Sequence, residues 1–261
     1  MARVIAIANQ KGGVGKTTTA INICASLGAA NQRVLLIDMD PQGNASMGAG
    51  VDKNDLEESI YDILLDEKNI TEMVINAEQA GFDVIPANGE LTAAEVHLLA
   101  FDDREYRLAK AIKKVTDNYD FILIDCPPSL NMLSINSLAA ADSVLIPMQC
   151  EYYALEGLTA LMGTIEQIKE SVNPDLEIEG LVRTMFDGRN RLAVDVSLEL
   201  EAHFGDLVFQ TVVPRNVRLA EAPSYGLPVM YHDIRSSGAQ AYIALAEELI
   251  SRELARNAIS V

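Results

Sequence analysis

Residues 10–18 read Gln-Lys-Gly-Gly-Val-Gly-Lys-Thr-Thr, and residues of these types in this order suit one task, the holding of phosphate groups. Gly12, Gly13 and Gly15, with Val14 among them, let the backbone curl so that its N–H groups point inward at an anion. A helix following at once would add the positive end of its dipole. Lys16 is placed to neutralise the charge of the outer phosphates, Thr17 offers a hydroxyl to a divalent cation, and Thr18 can reach the innermost phosphate. Two more segments supply carboxylates. Residues 36–44 run Leu-Ile-Asp-Met-Asp-Pro-Gln-Gly-Asn, and residues 122–128 run Ile-Leu-Ile-Asp-Cys-Pro-Pro. Asp38 and Asp40, at i and i+2 of an extended segment, face one side. Asp125 closes an apolar run, the position from which an aspartate orients Mg²⁺ directly or through water. No histidine or glutamate nucleophile is needed, because phosphoryl transfer rests mostly on positioning and charge stabilisation.

These residues need a scaffold that brings strand ends together. Short apolar runs bounded by turn residues recur at 4–8, 34–37, 82–86, 121–124, 144–147, 181–186 and 208–213. They are continuous and rich in Val, Ile and Leu, the pattern of strands buried on both faces. Helical stretches at 16–29, 104–116 and 155–170 alternate with them, which predicts βαβ units. The fold expected is α/β, a doubly wound and mostly parallel sheet flanked by helices, in one domain over residues 1–261. Residues 51–81, acidic and poor in strand signals, are expected to form a helical excursion at the periphery. In such a sheet, Asp38, Asp40 and Asp125 lie at the carboxyl ends of strands, where ligands bind.

Composition narrows the function. The 261 residues are 49% hydrophobic and 22% charged, and no stretch approaches the roughly 20 apolar residues that span a bilayer. The N-terminus has no charged region ahead of an apolar core and no small-residue cleavage site, so a cytoplasmic protein is expected. Cys24, Cys126 and Cys150 are scattered, as are His97, His203 and His232, so a metal here should be a hard ion held by oxygen. Cys126, at the end of an apolar strand, reads as an inert buried thiol. The net charge of −18 excludes a basic DNA-coating protein. Its distribution is uneven: residues 181–261 hold eight arginines against ten acids, which leaves room for a local basic patch.

The ordinary P-loop pattern asks for a glycine where Gln10 stands. Lys11 followed by Gly-Gly-Val-Gly-Lys-Thr instead resembles the deviant Walker A family, which includes ParA and MinD partition proteins, nitrogenase iron proteins and arsenite-pump ATPases. The resemblance implies ATP and Mg²⁺ as ligands and an ATP-bound homodimer, with Lys11 reaching the partner's nucleotide. It places Asp40 in a switch segment that positions the attacking water, and Asp125 in a second switch beside the Mg²⁺ held with Thr17. Residues 150–157, Cys-Glu-Tyr-Tyr-Ala-Leu-Glu-Gly, and 213–224, Val-Pro-Arg-Asn-Val-Arg-Leu-Ala-Glu-Ala-Pro-Ser, are similar to the chromosomal ParA proteins, also called Soj. That branch implies Pro214 and Asn216 against the adenine. It implies non-specific double-stranded DNA bound by Arg189 and Arg218, with Arg191 and Arg215 as helpers, and a ParB-like protein that stimulates hydrolysis. The expected function is an ATP-hydrolysing switch for DNA segregation, located on the nucleoid. The chain opens directly on the first strand, so the N-terminal helix-turn-helix region of some plasmid members is not expected.

Three other readings compete. A MinD-like membrane ATPase would end in a helix with a basic polar face. Here Ala239, Tyr242, Ile243, Ala246, Leu249 and Ile250 form an apolar stripe, but Glu247, Glu248 and Glu253 oppose Arg252 and Arg256 on the other side. Such a face suits packing on a protein core better than anionic lipid. A cluster-binding reductase would need paired cysteines, and none are paired in sequence. A regulator that binds ATP without hydrolysing it is opposed by Asp40 and Asp125.

Overall fold

A strand of four or five apolar residues is long enough to cross a sheet covered on both faces, and all seven predicted runs do so. In the computed structural model, which describes residues 2–66 and 68–259 and only the backbone of Ile259, the chain runs β1 (Arg3–Ile7), α1 (Lys16–Ala29), β2 (Val34–Asp38), α2 (Asn44–Gly48), α3 (Ile60–Asp66), β3 (Ile75–Ala77), β4 (Phe82–Ile85) and α4 (Leu91–His97). It continues through α5 (Arg107–Ile112), β5 (Phe121–Asp125), α6 (Met132–Ala140), β6 (Ser143–Gln149), α7 (Ala154–Ser171), β7 (Glu177–Phe186) and α8 (Arg191–Phe204). It closes with β8 (Val208–Pro214), α9 (Val217–Glu221), α10 (Val229–His232) and α11 (Ser237–Ile259). The eight strands form one sheet in the order β3-β4-β2-β5-β1-β6-β7-β8. Every pairing is parallel except β3 with β4.

Side-chain alternation along each strand divides the core in two. Val4 and Ala6 of β1 face a cluster that includes Ile60 of α3, Leu108 of α5 and Leu161 of α7. Ile5 and Ile7 face the cluster of α1 and α11, with Ile23, Leu27, Tyr242 and Leu249. The sheet is therefore wound on both faces, as its unbroken apolar strands require. Most of the apolar stripe of α11 is consumed in this packing: Ala239, Tyr242, Ala246 and Leu249 are buried, Ile250 packs against them, and Ile243 is partly exposed. No helix of the described residues is long and apolar enough to cross a membrane.

The structure departs from the sequence reading in two places. Residues 51–81 hold one helical segment, α3, a 3₁₀ turn at Ile70–Glu72 and the short edge strand β3, whose three residues give too little alternation to be recognised. The stretch at 104–116 keeps only six residues of α-helix.

α1 approaches the β3–β4 turn so closely that a Cβ on Gly28 would lie 2.3 Å from the carbonyl oxygen of Gly81. Gly28→Ala is therefore expected to destabilise the protein by about 1–3 kcal/mol, despite alanine's higher helix propensity. Urea titration at fixed pH reads this directly, and a stabilised variant would show that the contact relaxes freely.

Candidate functional site

β1 lies between β5 and β6, at the point where successive connections turn to opposite halves of the sheet. The crevice at its carboxyl end is where such sheets place ligands. The loop from Asn9 to Gly15 fills that position and feeds directly into α1. Gly13 and Gly15 adopt φ of 73° and 90°, values that L side chains rarely take, so these two glycines shape the turn. Gly12 differs from the sequence reading: its φ is ordinary and open space surrounds it.

Residues outside the motif hold the loop in place. Lys11 N–H donates to Asn9 Oδ1 at 2.9 Å, and Asn9 Nδ2 donates to the Pro147 carbonyl at 2.8 Å. Gln149 Nε2 donates to the Gly13 carbonyl at 2.9 Å, and Thr184 Oγ1 donates to that of Val14 at 2.7 Å. Val14 is itself buried. Gln149 and Thr184 come from β6 and β7, far along the chain, and sequence reasoning missed both. The only signal was a polar residue at the carboxyl end of an apolar strand.

Lys16 begins α1 and is 8% exposed. The carboxylates come from adjacent strands, since Asp38 and Asp125 are register partners in the β2–β5 pairing and Asp125 also pairs with Ile7 of β1. Asp38 is fully buried and hydrogen-bonded by Ser46 and by the Asp40 N–H. Burial outweighs those bonds and raises its pKa to about 6, with the nearby charge of Asp40 adding to the rise. Asp125 is also fully buried, and among the described residues neither of its oxygens has a partner at full hydrogen-bond geometry, although the Thr17 hydroxyl lies near. Burial, then the charge of Asp38, pushes it well above the carboxylate range, while the Thr17 hydroxyl and Lys16 ammonium pull the other way.

Two orphaned carboxylate oxygens in a protein interior are costly unless something cationic or donating meets them. Asp125 thus fits a divalent cation, which the Thr17 hydroxyl and ligand or water oxygens would help to hold. Among the described residues no cluster of three His, Cys, Asp or Glu side chains could hold a metal alone. Asp125→Asn is accordingly expected to stabilise the metal- and nucleotide-free protein at pH 8. The folded-state pKa values of Asp38 and Asp125 lie above the unfolded 3.8, so the stability they contribute is present below that pH. It is lost as pH rises through about 6 for Asp38 and through the raised pKa of Asp125. The gain in melting temperature should therefore shrink towards pH 4, and a gain independent of pH would refute the assignment.

Asp40 is half-buried, and its Oδ1 accepts the Gln42 N–H at 2.9 Å. Lys11 is half exposed and pairs with Glu151 within the same chain. Exposed pairs of this kind contribute little stability, so Lys11 is held only loosely. All three cysteines are buried, and burial pushes Cys126 up to about 12 and Cys150 to about 11, as expected of inert thiols.

Beside the loop lies a cavity of about 310 Å³ lined by Gly15, Thr18, Met185, Pro214, Asn216 and Leu219 among others. Its lining is mostly apolar, as a planar base requires. Met185 holds a φ of 49°, a strained value for a side chain at a cavity wall. Asn216 caps α9 by accepting the Arg218 N–H at 2.8 Å, and donates to Ser237 Oγ at 2.8 Å.

The arginines are exposed but differently engaged. Arg189 chelates Asp187 with bonds of 2.9 Å from Nε and Nη2, which together with the charge of nearby Arg215 holds Asp187 down to about 2. Arg218 pairs with Glu221 at 2.7 Å and Asp233 at 3.3 Å. Arg191 is 95% exposed, and among the described residues its ion-pair partner is Asp195 at 3.9 Å. Arg215 is exposed and also borders the cavity. Arg189 and Arg215 are thus brought together around Asp187, while Arg218 belongs to a separate cluster.

The model of the AAA domain family matches residues 2–178. The chromosome partitioning protein ParA of Caulobacter vibrioides (strain NA1000 / CB15N) is 52% identical over 258 residues, covering 98% of this chain and 97% of that protein. The sporulation initiation inhibitor protein Soj of Bacillus subtilis (strain 168) is 51% identical over 249 residues, covering 95% and 98%. Among solved structures, a cobyrinic acid a,c-diamide synthase from Mycobacterium smegmatis with bound ADP and magnesium matches with a TM-score of 0.83 at 37% identity, covering 96% of this chain and 94% of that one. A putative plasmid partition protein from Borrelia burgdorferi B31 bound to AMPPNP matches with a TM-score of 0.79 at 27% identity, covering 98% and 100%.

Proposed function

The chain belongs to the ParA/Soj family of DNA-segregation ATPases with a P-loop fold, and from that premise we propose that it is a Mg²⁺-dependent switch, built on one domain, that binds DNA only while it holds ATP. The observation that carries the proposal is the orphaned, buried Asp125 carboxylate beside Lys16 and Thr17 at the mouth of the glycine loop. Such a carboxylate has a use only when a cation joins it.

The N–H groups of residues 12–18 and the Lys16 ammonium receive the phosphates, and the base enters the cavity against Pro214 and Asn216. Thr17 and Asp125, the latter directly or through water, would hold Mg²⁺, which would supply charge withdrawal from the phosphate oxygens. Asp40 orients the attacking water. Lys11, paired among the described residues with an exposed Glu151, can exchange that partner for the nucleotide of a second copy, so ATP drives dimerisation. The dimer doubles a weak arginine surface formed by Arg189 and Arg218, helped by Arg191 and Arg215, and binds duplex DNA non-specifically. A ParB-like protein stimulates hydrolysis and resets the switch on the nucleoid in the cytoplasm. A membrane role is the weaker reading, because the apolar stripe of α11 is committed to the core.

The test is binding to a non-specific duplex with no nucleotide, ADP or ATP, across a salt series, for the parent and for Arg218→Glu. Binding is expected only with ATP, to fall with salt, and to drop at least tenfold in the variant. Binding independent of nucleotide would refute the switch. Retained ATP-dependent binding by Arg218→Glu would remove Arg218 from the DNA face.

A further inference from the structure

The segment that carries Asp40 is braced from beneath by one buried hydroxyl. Asp38 ends β2 with both oxygens engaged: Oδ2 accepts the N–H and the hydroxyl of Ser46, each at 2.8 Å, and Oδ1 accepts the Asp40 N–H at 3.1 Å. The Ser46 oxygen in turn accepts the Ala87 N–H at 3.0 Å, just beyond β4. Ser46 is fully buried, and so are Asp38 and Ala87. One side chain therefore ties the end of β2, the first turn of α2 and the segment after β4 into a single node. The turn between them closes on Asp40 itself, whose carbonyl accepts the Gly43 N–H at 2.9 Å and whose carboxylate accepts the Gln42 N–H.

From this node we infer that Ser46 is a positioning residue for hydrolysis. By bonding twice to one oxygen of Asp38 it leaves the other aimed at the Asp40 N–H, and so sets the direction in which Asp40 presents its carboxylate. The hydroxyl bond to a carboxylate is charge-assisted and geometrically strict. A second-layer group of this kind matters because a displacement of about 1 Å at a reacting centre costs on the order of a hundredfold in rate. Ser46 lies eight residues from Asp38 and belongs to no phosphate motif, so sequence spacing does not reveal it. Its own helix gains nothing from the side chain: the Asn44–Gly48 helix has no side-chain cap at its N-terminus, and the Ser46 hydroxyl points back to β2. The inference rests on Asp40 being the group that orients water.

The test compares Ser46→Ala and Ser46→Cys with the parent and with Asp40→Ala, measuring steady-state ATP hydrolysis, ATP affinity, melting temperature and the ¹⁵N-resolved amide shift of Asp40. Ser46→Ala is expected to lower kcat at least tenfold, leave ATP affinity within about threefold, and move the Asp40 amide upfield as its bond weakens. Ser46→Cys fills the same space with a poor donor, and should lose rate similarly even if the alanine variant folds badly. A cysteine variant at parental kcat would overturn the inference, because filling space would then be the whole role of Ser46. Parental kcat in a folded Ser46→Ala would overturn it too. Parental hydrolysis by Asp40→Ala would instead overturn the reading on which it rests.

Discussion

Lys16→Ala is expected to lower ATP affinity by about two to four orders of magnitude, the largest single effect on nucleotide binding. Lys16 begins α1 with only 8% exposure, so contacts its ammonium makes with phosphate would form largely out of bulk water. Each hydrogen bond to a charged group contributes about 1.5–3 kcal/mol, and two such contacts convert to the stated range at about 1.4 kcal/mol per decade. A second cause acts in the same direction. Lys16 is the cation that opposes the rise in the pKa of Asp125, which also feels Asp38 and Asp40. Its removal leaves a purely acidic pocket facing an anionic ligand. Calorimetric titration with ATP and Mg²⁺ measures the loss, and a change under tenfold would place the phosphates elsewhere.

Asp40→Ala is expected to behave in the opposite way towards binding: ATP is held at least as tightly as by the parent, while hydrolysis falls by a factor of about 10²–10⁴, the range for a positioned proton-handling group. The reason affinity survives is electrostatic. Asp40 is one of the charges that push Asp125 upward, so removing it relieves repulsion around the phosphates while leaving the glycine turn and Lys16 intact. ATP-bound dimer should accumulate, seen as a shift in elution with ATP but not with ADP. Phosphate release within twofold of the parental rate would take Asp40 out of the reaction.

These two variants also separate the halves of the proposed cycle. Lys16→Ala stops it before ATP is held and Asp40→Ala stops it after, so DNA binding should be lost in the first and made persistent in the second. The pairing of Arg189 with Asp187 and of Arg218 with Glu221 and Asp233 gives this contrast a physical basis. DNA phosphates must compete with carboxylates already in place, and a single copy of each arginine competes poorly. Two copies on a dimer compete together.

The sequence by itself determined the parallel sheet, the phosphate loop and the identity of its acids. Strands buried on both faces are written as unbroken Val, Ile and Leu runs, and all seven such runs became strands. The glycines, Lys16 and Thr17 are read from local spacing, because strand, turn and helix follow one another without tertiary help. Tertiary structure decided what spacing does not encode. Gln149 and Thr184 hold the loop from strands more than a hundred residues away. Register between β2 and β5 sets Asp38 beside Asp125 and leaves the latter without a partner. The edge strand β3 exists because β4 offers it hydrogen bonds, since its three residues carry too little pattern of their own. Which arginines stand free and which are chelated depends on carboxylates that only the folded chain brings near. A motif is a property of adjacent residues, whereas burial, register and ion pairing are properties of the neighbours that folding supplies.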